Sequence, residues 1–479
     1  MRLMIAGGGG FRVPLVYRAL TSGPFAGLVR ELVLFDVDPL RLAAMEAVLS
    51  SMAPSGGASG LGGASGPAVS GPAVSTTTSL AAGLDGTDMV FAAIRPGGTA
   101  GRTADERVAI ALGLLGQETT GAGGISYALR SIPGMLELAR EMKQRCPDAW
   151  LVNFTNPAGM VTEALVPVLG HKVIGICDSA GGLVHRAARA AGAPLPEGRL
   201  DGVGYYGLNH LGWLYRLESG GNDLLPGLLA DAGALSGFEE GRLFPQPFLQ
   251  SLGCLPNEYL YYYYDTERAV GAIRAMRQTR GESIHEQQAG LYPALAAAGS
   301  GAYELWDAAR RSREEGYLAE ARASGEQRDE DDLAGGGYER VALGVMRALS
   351  GGAAGGAVGA VGAVGAVGAV ELILNTPNAG AVPGLPADAV VEVPCVVTPD
   401  GAVPLPQDRP GPAQLALMQR VKEVERLTVS AAVNGRRDDA VRAFALHPLI
   451  DSAELAAELL AGYEAAFPAL RQLWRGGAG

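Results

Sequence analysis

The sequence predicts a doubly wound α/β fold followed by a mixed α+β C-terminal half. Three observations carry this. A short apolar run, Arg2 to Ala6, stops at the glycines Gly7 to Gly10 and passes into helical spacing at Val13 to Leu20. A second apolar run, Glu31 to Phe35, closes on Asp36. Strand, glycine turn, helix, strand, acid is the order in which a doubly wound sheet opens. Further short apolar runs then recur with helical stretches between them, which favours parallel strands.

In chain order, Leu40 to Ser50 has helical spacing. Ala53 to Thr77 is rich in Gly, Ser, Ala and Pro and repeats GPAVS; it is expected to be a mobile surface insert. Asp88 to Ile94, Leu151 to Phe154 and Val173 to Cys177 read as strands, the last two separated by a helix over Gly159 to Val168. Past about residue 200 the alternation fades. Arg268 to Arg280 and Ala302 to Ser324 look helical and charged. Gly356 to Val370 repeats Gly-Ala-Val over too short a span for a solenoid, so a flexible loop before a strand at Val370 to Leu374 is expected. Val390 to Val397 reads as a strand. Ala413 to Val433 and Ser452 to Phe467 read as amphipathic helices suited to a core or a subunit interface. The expected division is a dinucleotide domain over 1–195, with its insert near 53–77. A domain for substrate, metal and oligomer contacts follows over 196–479, with its loop near 351–369.

At 479 residues and 48% hydrophobic content the chain can build a full core of one or two domains. A net charge of −12 argues against nucleic acid as a partner. Four scattered cysteines do not make a disulfide framework. The N-terminal run is too short for a signal peptide, and no window of about 20 residues is apolar enough for a membrane span. A cytoplasmic protein with no membrane partner is the expectation.

The glycine loop matches G-x-G-x-x-G at Gly7 and Gly9, while Arg12 stands at the third glycine's place. It allows a tight turn and close backbone approach to a pyrophosphate at a helix N-terminus. Asp36 is placed to accept from a ribose hydroxyl and would repel a 2′-phosphate, which favours NAD over NADP. Alone, the loop also fits a plain structural turn. Cys177, followed at once by Asp178, ends a predicted parallel strand, where open sheets bind ligands. His210 lies in GLNHLGW. A soft sulfur and an imidazole suit a divalent transition metal with open positions, although buried Cys and His are often plain core residues. Tyr259 sits in PNEYLYYYYD, where Tyr261 to Tyr264 are expected to pack as an aromatic strip. Arg102, Asp105, Glu106 and Arg107 form a charged cluster that fits either a solvated helix start or an anion clamp. Glu118 lies in GQETTGAGG, which follows no strand and is therefore no second dinucleotide loop.

Taken together, the glycine loop, RPGG at Arg95, GRTADE, GQETTGAGG, NFTNPAG, GICD, GLNH, PNEYL, QTRGE and HPL at His447 resemble glycoside hydrolase family 4. These are the NAD- and metal-dependent 6-phospho-glycosidases. The resemblance runs from Met1 to about Pro448 and leans to the 6-phospho-β-glucosidases. It implies a Rossmann-type sheet like that of lactate and malate dehydrogenases. It assigns Gly7, Gly8, Gly9, Gly10, Phe11, Asp36 and Arg95 to NAD. Cys177 and His210 are implied as ligands of Mn2+ or another divalent metal. Tyr259 is implied as the base, Glu118 as the group that raises its basicity, and Arg102, Asn156 and Arg280 as contacts to the phosphosugar. Asp178 matches the proton donor of α-glycoside members, where β-glycoside members commonly carry asparagine; GQETTG, NFTNP and HPL look more like the β type.

The implied reaction is a redox elimination, an exception to the two-carboxylate rule for glycosidases. Hydride leaves C3, a proton leaves C2, the aglycone leaves C1, water adds and the hydride returns. The implied substrate is a phosphorylated disaccharide or aryl glucoside, and a homodimer or homotetramer is expected. The alternatives are a 6-phospho-α-glucosidase, an α-galactosidase or galacturonidase of the same family, a lactate/malate-type dehydrogenase, or a non-catalytic NAD sensor.

Overall fold

The computed structural model describes residues 1–52, 71–316, 337–351 and 369–476. Among them the chain forms one continuous sheet of thirteen strands. Six parallel strands make the N-terminal half: β1 (Arg2–Ala6), β2 (Glu31–Phe35), β3 (Ala73–Thr77), β4 (Met89–Ala92), β5 (Trp150–Asn153) and β6 (Val173–Gly175). Their spatial order, β3-β2-β1-β4-β5-β6, is that of a Rossmann-type doubly wound sheet. Helices cover both faces, so the inner strands are apolar on both sides, while the edge strand β3 is not. Leu3 and Ile5 pack with Leu32, Phe91, Val152 and Ile174 on one face. Met4 and Ala6 pack with Val33, Val90, Leu151 and Val173 on the other.

The remaining strands are β7 (Val203–Leu208), β8 (Leu211–Ser219), β9 (Asn222–Asp223), β10 (Leu255–Pro256), β11 (Val370–Pro377), β12 (Val390–Thr398) and β13 (Gly401–Pro404). They extend the same sheet antiparallel, in the order β6-β11-β12-β7-β8-β10. The late strands β11 and β12 thus lie between the Rossmann edge and the β7–β8 hairpin. C-terminal helices return to the N-terminal half: Tyr463, on the helix Ala453–Ala466, donates to the Asp105 carbonyl at 3.0 Å.

Several expectations hold with small shifts. Arg2–Ala6 and Glu31–Phe35 are strands as read, and helices form over Pro39–Met52, Ala158–Leu169, Pro412–Asn434 and Ala453–Ala466. Two are corrected. The end of the supposed mobile insert is strand β3, paired along its full length with β2; alternation of small polar residues hid it. Residues 53–70 of that insert lie outside the described residues. The single helix expected over Arg268 to Arg280 is two: Thr266–Ala275 ends, and Arg280–Ala297 starts on a capping box between Thr279 and Glu282. The Gly-Ala-Val repeat at 352–368 also lies outside the described residues, as does the continuation expected beyond the helix Ala302–Glu315 over residues 317–324. The antiparallel β7–β8 hairpin, with no helix between its strands, accords with the fading of alternation past about residue 200.

Candidate active site

A cleft of about 1890 Å³ opens along the C-terminal ends of the parallel strands, large enough for a dinucleotide and a sugar together. Every site residue expected from the sequence lines it except Gly8 and Gly9. Those two face inward: a Cβ on Gly9 would stand 2.5 Å from Arg41 Cβ, and one on Gly8 would meet Leu34. Gly7 takes a left-handed φ of +92°. The amides of Gly7 and Gly8 share the Phe35 carbonyl, and the Gly9 amide donates to Asp36 Oδ2 at 3.1 Å. Asp36 therefore clamps the loop at the rim of the cleft.

Sequence reasoning missed the back of this loop. Tyr292 donates to the Gly9 carbonyl at 3.0 Å, Trp306 Nε1 to Phe11 at 2.7 Å and Tyr338 to Arg12 at 2.7 Å. Three aromatic side chains from the second half satisfy the loop's carbonyls from behind. Nothing local in the sequence signals this, because the partners are more than 280 positions away.

Cys177 lies two residues past β6, buried, and burial pushes its thiol well up; Glu392 and Asp178 add to this while the Ser179 amide opposes it. His210 closes the two-residue turn between β7 and β8 with a left-handed φ of 63°. Such a conformation costs a β-carbon residue roughly 1–3 kcal/mol, and the surrounding structure has to hold it. Its ring stacks on Tyr259, with centroids 3.8 Å apart and an interplanar angle of 11°. Burial lowers the imidazole pKa to about 4 against the opposing pull of Glu118, so the ring is neutral at physiological pH. Its Nδ1 is buried without a hydrogen-bond partner. A neutral imidazole with an orphaned nitrogen, on the same cleft as a cysteine, fits a transition-metal ligand pair. Among the described residues no cluster of three or more His, Cys, Asp and Glu side chains could hold a metal.

Tyr259 is set by a short 3₁₀ turn, Glu258–Leu260, whose N-cap Asn257 accepts from the Tyr259 amide at 3.1 Å. Of the neighbouring strip, Tyr261 and Tyr262 are buried and Tyr264 accepts from Trp213 Nε1 at 3.0 Å; Tyr262 also lines the cleft. Asp178 is the N-cap of the helix Ser179–Ala190, yet its carboxylate makes no capping bond and lies on the cleft. His447, of the HPL motif, lies away from the cleft lining and accepts from the Leu449 amide at 3.1 Å, a structural role.

Glu118 is gripped by two arginines, Arg95 at 2.5 Å and Arg102 at 2.6 Å. Burial alone would raise its pKa; Arg102, Arg95, Arg280 and Arg313 overcome this and hold it at about 2. Its neighbour Gln117 accepts from the amides of Thr119 and Thr120, ordering the turn that leads into the helix Gly121–Arg145. Arg102 also donates to Glu106 at 2.8 Å, and Glu106 accepts from the Gly281 amide at 2.8 Å. Arg102 and Glu106 thus form a buried bracket to the helix carrying Arg280, while Arg107 is exposed. Asn156 lines the cleft with its Oδ1 buried and unbonded. Arg313, which the sequence reading did not single out, is pushed down to about 9 by burial and by Arg12, Arg280 and Arg102. Guanidinia crowded this closely favour an incoming anion.

Comparisons with known proteins give the family. The family model described as Family 4 glycosyl hydrolase matches residues 3–192, and that of the Family 4 glycosyl hydrolase C-terminal domain matches 205–450. The chain belongs to glycoside hydrolase family 4. This family 4 enzyme is a glycosidase by that membership. It is 30% identical over 391 residues to a 6-phospho-alpha-glucosidase of Leptotrichia buccalis, covering 78% of this chain and 79% of the relative. It is 29% identical over 390 residues to a probable 6-phospho-beta-glucosidase of Bacillus subtilis, covering 79% and 78%. A 6-phospho-beta glucosidase of Thermotoga maritima, solved with NAD and glucose-6-phosphate, superposes with a TM-score of 0.74 at 25% identity, covering 98% and 99% of the chains.

Proposed function

We propose that this family 4 glycosidase hydrolyses 6-phospho-β-glucosides by redox elimination, with NAD and a divalent ion, Mn2+, as resident cofactors. The observation that carries the reading is one cleft lined at once by the glycine loop, by Cys177 and His210, by Tyr259 and by a crowd of arginines. Gly7–Gly10, Phe11 and Asp36 would hold the dinucleotide, with Arg95 at the cleft wall. Cys177, as thiolate, and neutral His210 would hold the ion. When bound, the two groups supply reversible hydride transfer at C3 and polarisation of the resulting carbonyl.

The chain's own residues do the rest. Arg102, Arg280 and Asn156 orient the sugar and its phosphate, with Arg313 adding charge. Tyr259 takes the proton from C2, made acidic by the neighbouring carbonyl. Glu118, held ionised, places negative charge near His210 and orders Arg95 and Arg102. Asp178, which lines the cleft and caps no helix amide, would give a proton to the oxygen leaving C1. That uncommitted carboxylate favours a second reading, the α-glycoside reaction, and two of the relatives named above split between the anomers.

The test is an assay of paired 4-nitrophenyl 6-phospho-α- and β-glucosides with NAD and Mn2+. Release of nitrophenol from the β substrate without net NADH supports the reading. Net NADH formation would place the chain with the dehydrogenases, and release from the α substrate alone would reverse the anomer.

A further inference from the structure

We propose that Glu392 is the positioning residue that sets the spacing between the segments carrying Cys177 and His210. The proposal rests on reading those two residues as the metal pair.

Strands β6 and β7, which deliver Cys177 and His210, do not touch. β11 and β12 stand between them. One row crosses all four strands in register: Gly175 opposite Asn375, Asn375 opposite Glu392, and Glu392 opposite Gly207. Cys177 follows that row by two residues and His210 by three. At the seams β6–β11 and β12–β7 only this one residue pair is in register, while β11 and β12 pair along their whole length. Side chains must therefore fix the seams.

Glu392 does so. Its side chain is 1% exposed, at the row's centre. Oε1 accepts from Asn375 Nδ2 at 3.1 Å and from Asn209 Nδ2 at 3.3 Å; Oε2 accepts from the Tyr205 hydroxyl at 3.1 Å. Two of those donors belong to β7 and its turn, and the third to β11. Asn209 in turn accepts from the Ala158 amide at 3.1 Å, so both ends of its amide are anchored. Asn209 is the other residue of the two-residue turn whose left-handed member is His210. Neither Glu392 nor Asn209 lines the cleft. Glu392 acts through Asn209, as a partner that orients a ligand without touching the ion.

The test is equilibrium binding of Mn2+ to the NAD-loaded full-length protein, read by the electron paramagnetic resonance of free Mn2+. Glu392→Ala and Asn209→Ala are each expected to weaken Mn2+ binding about 10- to 100-fold. NAD affinity should stay within about threefold in both, since the glycine loop lies on other strands. Glu392→Gln keeps an oxygen acceptor in the same volume and is expected to bind Mn2+ within about threefold of the parent. Parent-like Mn2+ affinity in a folded Glu392→Ala, or Glu392→Gln as weak as Glu392→Ala, would overturn the proposal. If Glu392→Ala does not fold, Asn209→Ala decides on the same criterion. A parent protein that binds no Mn2+ would overturn the metal reading itself, a result distinct from unchanged affinity in the variants.

Discussion

The imidazole of His210 lies flat on the phenol ring of Tyr259, ring centroids 3.8 Å apart. The proposed ligand and the proposed base are thus one packed unit, so a change to either moves both unless the ring is kept. Tyr259→Phe keeps the ring and removes only the hydroxyl. It is expected to lower kcat about 10²- to 10⁴-fold, the usual worth of a general base. Mn2+ and NAD affinity should remain near those of the parent. Deuterium uptake at C2 of product in heavy water, lost together with kcat, checks the assignment. Retained uptake would take the proton-abstracting role from Tyr259.

The arginine crowd gives a substrate prediction. Glu118 feels the charges of Arg102, Arg95, Arg280 and Arg313, and all four arginines line the cleft. Arg280→Gln is expected to reduce kcat/KM for a 6-phosphoglucoside about 10- to 150-fold, the value of one charge-assisted hydrogen bond. Turnover of the unphosphorylated glucoside should hardly change. Equal losses on both substrates would show that Arg280 serves the fold rather than the anion.

Asp178 gives a prediction about the anomer. Its carboxylate reaches the cleft and caps no helix amide. If the β reaction is native, Asp178→Asn should leave β-glycoside turnover intact and abolish whatever α-glycoside turnover the parent shows. Loss of β turnover by tenfold or more, about 1.4 kcal/mol of barrier, would give Asp178 the acid role in that reaction.

Much of this site was legible because its residues sit in short motifs tied to strand ends. Gly7 to Gly10, Asp36 and Cys177 each follow an apolar run whose end is plain in the sequence. What was hidden depends on partners far along the chain. Tyr292, Trp306 and Tyr338 brace the glycine loop through bonds no local pattern announces. Strand β3 was mistaken for an insert because Ala73–Thr77 looks like the low-complexity run it follows. Glu392 was invisible because a charged residue in an apolar strand reads as an edge, whereas here it lies at the sheet's centre. The charge cluster of Arg102 and Glu106 left two readings open; burial turned it into a bracket under the cleft.

His447 supplies a stability prediction independent of catalysis. Burial, and then Arg420, lower its pKa from 6.5 to about 3. Between those values the unfolded chain holds a proton that the folded chain refuses. The contribution is therefore fully present above pH 6.5 and is lost as the pH falls toward about 3. His447→Asn, which keeps an acceptor for the Leu449 amide, should flatten the acid limb by up to about 1.4 kcal/mol per pH unit. Denaturant unfolding followed from about pH 7 to about pH 4 measures it against the usual one-proton slope. A slope equal to the parent's would contradict a neutral buried His447.

The most direct measurement is an anomalous difference map, at the manganese edge, from crystals grown with Mn2+ and NAD. One peak bonded to both Cys177 Sγ and a ring nitrogen of His210, in the cleft that holds the dinucleotide, is the predicted result. A fully occupied peak that touches neither side chain would contradict it.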